Sequence, residues 1–310
     1  MLGDLVVWYL FLGGTGSGLL FVVASLEALS PHAIDEARTE GNRCYVPREL
    51  YSRFFGPAYG VGLASVILGM FCLLIDLGRS DRALSLFFQP VPSFITFGAF
   101  GLVILAVLAA VLFTVWVLRI PVFPKMLMLV IRSGCMVMAF MVMLYTGLFL
   151  SSMSAVELWD SPWLPVLFVV SALSAGLALL VCIVVLCGSG DEFKSTLRRI
   201  QKADAVVIAC EMVVIALFVA LGLLGNEAAR LSAERMVQGD LASVFWGCIV
   251  LLGLIAPLVC EVFNRHLNAY VVIASGAFVL VGGYFLRWCI SEAGRAPDIV
   301  TSVMKVLGIQ

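Results

Sequence analysis

Histidine is nearly missing from this chain: there are two in 310 residues, His32 and His266. Both fall in segments that read as loops, so no pair can face another inside a bilayer. A membrane cytochrome of the b type needs such axial pairs, and no haem is expected here. Charge is scarce too, at 13% of residues against about 25% in an ordinary soluble domain. There is no basic patch, which argues against nucleic acid as a partner. The nine cysteines include no C-x-x-C pair, and all but Cys44 lie in or near apolar stretches. They read as packing residues, so neither an iron–sulfur cluster nor a structural metal is expected in this chain. Long polar segments are few: roughly 30–53 and 225–240.

What fills the chain is apolar sequence. Hydrophobic residues make up 62% and mean hydropathy is +1.10. Eight stretches are long enough to cross a bilayer, which takes about 20 apolar residues. They predict helices over about 5–27, 55–76, 94–118, 127–150, 163–187, 204–224, 243–263 and 268–290. Hydrocarbon offers the backbone no hydrogen bonds, so such runs must be helical. The expected fold is therefore an all-α integral membrane bundle of eight helices forming one domain. The first run, Leu5–Leu26, has no basic leader and is too long for a cleaved signal, so it reads as a retained span. Breakers separate the spans, among them Pro31, Pro90, Pro121, Pro162 and Gly188.

An even number of spans puts both termini on one side. The loops opposite the termini carry eleven Lys and Arg residues, and the terminal side six. The positive-inside rule then places both termini on the non-cytoplasmic side. Gly13-Gly14-Thr15-Gly16-Ser17-Gly18 is no phosphate loop, since it lies mid-helix with no strand before it and no Lys after it. Its Gly14-x-x-x-Gly18 spacing suits close helix packing.

Ionisable groups in hydrocarbon are costly and mark function. Glu211 and Arg287 stand away from clear span boundaries. Glu27, Glu261 and Arg132 lie nearer the ends, where ion pairing or snorkelling also explains them. Together the five suggest a polar track for protons. Asp76 and Arg79 close the second span, Tyr145 lies near the outer end of the fourth, and Trp8 and Tyr9 near the outer end of the first. A tyrosine hydroxyl can bond a quinone carbonyl, and an aromatic face can stack on its ring. On topology alone, an ordinary interfacial belt is the favoured reading of these aromatics.

Several motifs carry a resemblance. Ile75-Asp76-Leu77-Gly78-Arg79 with Phe88-Gln89-Pro90 and Ser93, Leu10-Phe11-Leu12-Gly13-Gly14, Tyr145-Thr146-Gly147 with Leu150-Ser151-Ser152 and Trp163-Leu164-Pro165-Val166-Leu167-Phe168, and Gly282-Gly283-Tyr284-Phe285-Leu286-Arg287 keep one order across the chain. The chain thereby resembles the NrfD/PsrC family of membrane subunits, which includes polysulfide reductase and is related to dimethyl sulfoxide reductase anchors.

The resemblance implies a quinone-binding subunit of a respiratory complex in a bacterial or archaeal cytoplasmic membrane. Such a subunit binds quinone or menaquinol near the outer face. It exchanges electrons with a four-cluster ferredoxin-like subunit, which serves a molybdopterin enzyme or a multihaem cytochrome. By the motif match Tyr145 would contact the quinone, and Glu211 and Arg287 would occupy the family's charged intramembrane positions. Some members add a histidine from the first helix. This chain has none there: either Trp8 or Tyr9 replaces it, or the pocket binds its quinone differently. A secondary transporter or proton channel, and a purely structural anchor, are the alternatives. No internal repeat or matched pair of broken helices favours a transporter.

Overall fold

The computed structural model describes residues 4–30, 34–39, 42–76, 94–119, 124–152, 158–188, 193–263 and 268–294. In chain order the elements are α1 (Asp4–Leu29), β1 (Ile34–Thr39), β2 (Asn42–Pro47), α2 (Glu49–Asp76), α3 (Phe94–Leu118), α4 (Lys125–Ser151), α5 (Trp163–Leu186), α6 (Lys194–Leu224) and a short α7 (Glu227–Val237). Next comes α8, in which Ala242–Val244 and Ala256–Phe263 are α-helical and Phe245–Ile255 winds as a π-helix. The last helix is α9 (Ala269–Ala293). Among the described residues, eight helices are long and apolar enough to span a membrane. The start of α1 and the end of α9 therefore share one face, called the terminal face below; the other is the loop face.

α1 is the axis of the bundle, with 78% of its apolar window buried inside the protein. Its glycines make that possible. A side chain at Gly16 would press on Gly62, Ser65 and Val66 of α2. One at Gly18 would overlap the Ala172 carbonyl of α5, and Gly176 of α5 approaches Gly18 as closely. Where apolar burial gives helices no preference for one another over lipid, such backbone contact is what holds them together. α8 meets α9 in the same way, Gly253 against Gly282.

Three segments depart from the sequence reading. α6 begins at Lys194, ten residues before the expected start at 204. Its polar first turns still present Leu197, Ile200 and Asp204 on one buried face, at helical spacing. The polar stretch after α1 contains an antiparallel hairpin, with Ile34 opposite Pro47 and Thr39 opposite Asn42. The polar stretch after α6 contains α7. It starts at Asn226 with Glu227 in its first turn and Arg235 in its last, which complements the helix dipole. Ala229, Ala233 and Met236 form its buried stripe. Trp159 is buried, and its Nε1 donates to the Ile290 carbonyl at 3.0 Å.

Candidate functional site

Two phenols meet near the terminal face. Tyr9 sits in the second turn of α1 and is fully buried, and Tyr145, two turns from the end of α4, is buried as well. Each side chain is within reach of the other. The Tyr9 hydroxyl nevertheless makes no hydrogen bond of good geometry with a protein group. α3 yields space for Tyr145: a methyl group at Gly98 would collide with the phenol ring and hydroxyl. Gly147, next on α4 but one, has no room for a side chain against Pro165 of α5. Thus α1, α3, α4 and α5 fix the pair; Tyr145, Gly147 and Pro165 belong to the motifs of the resemblance, while Gly98 lies outside them.

Trp8 takes a different position. It is 43% exposed, and its ring lies 4.6 Å from that of Tyr284 on α9. Of the two aromatics at the start of α1, Tyr9 is the one beside Tyr145. Asp76 ends α2 as an exposed residue. Arg79 lies outside the described residues.

A buried cation joins α9 to α1 and α5. Arg287 of α9 is fully buried and stands between the rings of Phe168 and Phe11, its guanidinium carbon 5.3 and 5.9 Å from their centroids. Its Nε donates to the Leu10 carbonyl at 3.2 Å, and one terminal nitrogen donates to the Gly283 carbonyl at 2.7 Å and to the Ser171 hydroxyl at 3.3 Å. The other terminal nitrogen has no partner. A side chain at Gly14 would come within 3.0 Å of it, so this glycine accommodates the guanidinium.

Glu211, in the middle of α6, feels the Arg287 charge and lies within hydrogen-bonding reach of Ser171 and Ser174 on α5. Arg287 and Glu211 make no direct ion pair; Ser171 stands between them. A cavity of about 10 Å³, bounded by Ser171, Glu211, Gly253, Gly282 and Gly283, adjoins the carboxylate. That is about the space one water needs.

Toward the loop face the same half of the bundle holds a second acidic group. Asp204 of α6 and Glu261 of α8 are within hydrogen-bonding reach of each other, and Ser174 is within reach of Asp204. Asp204 coincides with the expected first residue of its span, so the apolar pattern alone does not mark it as buried. The buried triplet Leu197, Ile200 and Asp204 was the signal that would have found it.

Glu27 and Arg132 belong to another cluster. The Glu27 carboxylate, buried at the loop end of α1, accepts from the hydroxyls of Tyr45 at 2.5 Å and Tyr59 at 2.6 Å, and from Trp116 Nε1 at 3.1 Å. An Arg132 nitrogen lies 3.7 Å away. This cluster ties the hairpin, α2, α3 and α4 to α1. The structure thus brings Arg287, Glu211 and Glu261 into one half, joined by Asp204, and sets Glu27 and Arg132 apart.

A larger cavity of about 590 Å³ opens at the terminal face between the start of α5 and the junction of α6 and α7. It has Trp163 and Phe218 as walls and Asp160, Ser161 and Asn226 among its polar lining.

The family model described as polysulphide reductase, NrfD, matches residues 2–297. The NrfD protein of Escherichia coli is 25% identical over 310 residues, covering 93% of this chain and 92% of that protein. An NrfD homologue of Haemophilus influenzae is 29% identical over 157 residues, and the C subunit of polysulfide reductase from Wolinella succinogenes 31% over 156. Those two matches each cover 49% of this chain, and 48% and 49% of the relatives, so they span about half of either protein.

Proposed function

This chain belongs to the NrfD polysulphide reductase family, and from that premise we propose that it is the quinone-reactive membrane subunit of a respiratory oxidoreductase. One observation carries the reading: Tyr9 and Tyr145 stand together at the terminal end of the bundle, and the buried Tyr9 hydroxyl makes no hydrogen bond of good geometry with a protein group. Buried polar groups are almost always paired, so this hydroxyl suits a ligand acceptor such as a quinone carbonyl. Tyr9 takes the place of the histidine that some members carry on their first helix.

In this reading a bound quinol supplies two electrons and two protons when it is oxidised. Tyr9 and Tyr145 converge on one of its ring oxygens through their hydroxyls. Arg287 is a fixed buried cation tied to α1 through the Leu10 carbonyl and to α5 through Ser171. Ser171 connects Arg287 to Glu211, which can take or give a proton. Protons leave at the terminal face or move along Glu211 toward Glu261. Electrons pass to a ferredoxin-like subunit with four clusters and on to a molybdopterin or multihaem partner. The complex stands in a bacterial or archaeal cytoplasmic membrane with the terminal face outside. The basic loops support that orientation.

The test is to purify the tagged protein with its partners in mild detergent and add menaquinol without oxygen. Bleaching of iron–sulfur absorbance that a quinone-site inhibitor blocks supports the reading. An intact iron–sulfur complex that menaquinol cannot reduce contradicts it.

A further inference from the structure

We infer that Asp204 and Glu261 hold one proton between them and form the loop-side station from which protons reach Glu211, on a route that leaves out Glu27. Its purpose rests on the quinone-reactive reading, but its geometry does not.

Asp204 is 2% exposed, and its Oδ1 has no hydrogen-bond partner; Oε2 of Glu261 is likewise buried and unpaired. The two residues border a cavity of about 10 Å³ with Gln201, Cys260 and Ser275, room for about one water. Two carboxyl groups within hydrogen-bonding reach can bond only if one of them carries a proton. Among the described residues neither forms an ion pair. Two ionised carboxylates here would be neighbouring negative charges out of water with no cation to offset them. One shared proton removes half of that charge and supplies the missing donor. The other titratable groups on the site are Glu211 and two thiols, Cys182 and Cys260.

Asp204 and Glu211 lie two turns apart on α6, about 10 Å along the axis. Ser174 of α5 spans the interval: it is within reach of both carboxyl groups, and its hydroxyl is buried without a bond of good geometry. Beyond Glu211 lies the second water-sized cavity, then Ser171 and Arg287. The steps balance. The pair gains a proton from loop-side water, entering beside the half-buried Gln201 and Glu261. The Ser174 oxygen accepts a proton from Asp204 while its own passes to Glu211. The pair returns to one shared proton and Glu211 is neutral. Only O–H bonds break and form.

Glu27 cannot join this route. Its two oxygens already accept from Tyr45, Tyr59 and Trp116 and face Arg132. Its neighbours belong to α2, α3, α4 and the hairpin.

Infrared difference spectra between acid and alkaline pH, on the full-length protein in lipid vesicles, test the pair. A carboxylic-acid C=O band that persists at neutral pH is expected. It should vanish in Asp204→Asn and in Glu261→Gln, so either variant suffices if the other fails to fold. It should survive in Glu27→Gln. No such band in the wild type, or survival in both variants, overturns the shared proton. Proton flux into the same vesicles under an imposed gradient tests the route. Asp204→Asn should lower it about tenfold or more, as loss of a relay group does, and Glu27→Gln should leave it near the wild-type value. Equal flux in wild type and Asp204→Asn overturns the route. Neither measurement needs a quinone, so failure of quinone binding would be seen separately.

Discussion

Tyr9 of α1 and Tyr145 of α4 set their phenols side by side under Gly98 of α3, 136 residues apart in sequence. Neither hydroxyl is replaceable by an apolar edge if both hold a quinone. Tyr145→Phe should lower quinol turnover about tenfold or more, the scale of a lost hydrogen bond to a buried acceptor, while the protein still assembles. Turnover kinetics beside gel filtration check this. Wild-type turnover would remove Tyr145 from the mechanism.

Gly98→Ala is the complementary change. It keeps both phenols but puts a methyl group into the Tyr145 ring. Overpacking of this kind costs about 1–3 kcal/mol, and here it must also move Tyr145. The expected outcome is weaker quinol binding, read as a raised KM, with a modest loss of thermal stability. An unchanged KM would show that the position of the ring does not matter.

Much of this architecture is legible in the sequence. Span number follows from length and hydropathy, because hydrocarbon leaves the backbone no alternative to helices. Of the Gly14-x-x-x-Gly18 spacing, Gly18 packs on the α5 backbone as expected, while Gly14 makes room for the Arg287 side chain instead. The early start of α6, the hairpin and α7 do not show, because amphipathic turns at a membrane edge lack a long apolar signal. Asp204 was hidden by the same boundary error. Nor does the sequence say that Tyr45, Tyr59 and Trp116 surround Glu27. Those donors come from the hairpin, α2 and α3, and only folding brings them to one carboxylate.

Glu27 should behave as a structural group. Glu27→Ala strands Arg132 and three donors in the interior. Breaking a buried ionic cluster costs about 3–5 kcal/mol, whereas Tyr59→Phe removes one hydrogen bond and costs about 1 kcal/mol. Thermal unfolding of the two variants in the same detergent should show that order. Equal stability of Glu27→Ala and wild type would contradict the structural role.

The junction of α7 and α8 carries a pH-dependent contact. Arg235 forks onto Asp240 at 2.9 and 3.2 Å and holds its carboxyl below the usual value of 3.8. The folded group is thus the stronger acid. Its stabilising effect is complete above about pH 4, the ordinary carboxylate range, and fades as pH falls through the lower folded value. Asp240 is 63% exposed, so the contribution is small, under about 1 kcal/mol. Asp240→Asn should lower thermal stability slightly at neutral pH, and high salt should shrink the difference. A variant as stable as wild type at neutral pH and low salt would show that the pair contributes nothing.

Glu211→Gln separates proton handling from quinone binding. It keeps the shape of the side chain beside Ser171 but removes the titrating carboxyl. Quinol turnover should slow by about a hundredfold, the low end for a lost acid–base group, with KM little changed. A raised KM at unchanged kcat would instead make Glu211 part of the binding site.

The most direct test is equilibrium binding of a fluorescent quinol analogue to the full-length protein in lipid nanodiscs, without partners. The account predicts one saturable site that is lost when Tyr9 and Tyr145 are both changed to Phe and kept in Glu211→Gln. Binding undiminished in the double variant, or none in the wild type, would contradict a quinone site at the two phenols.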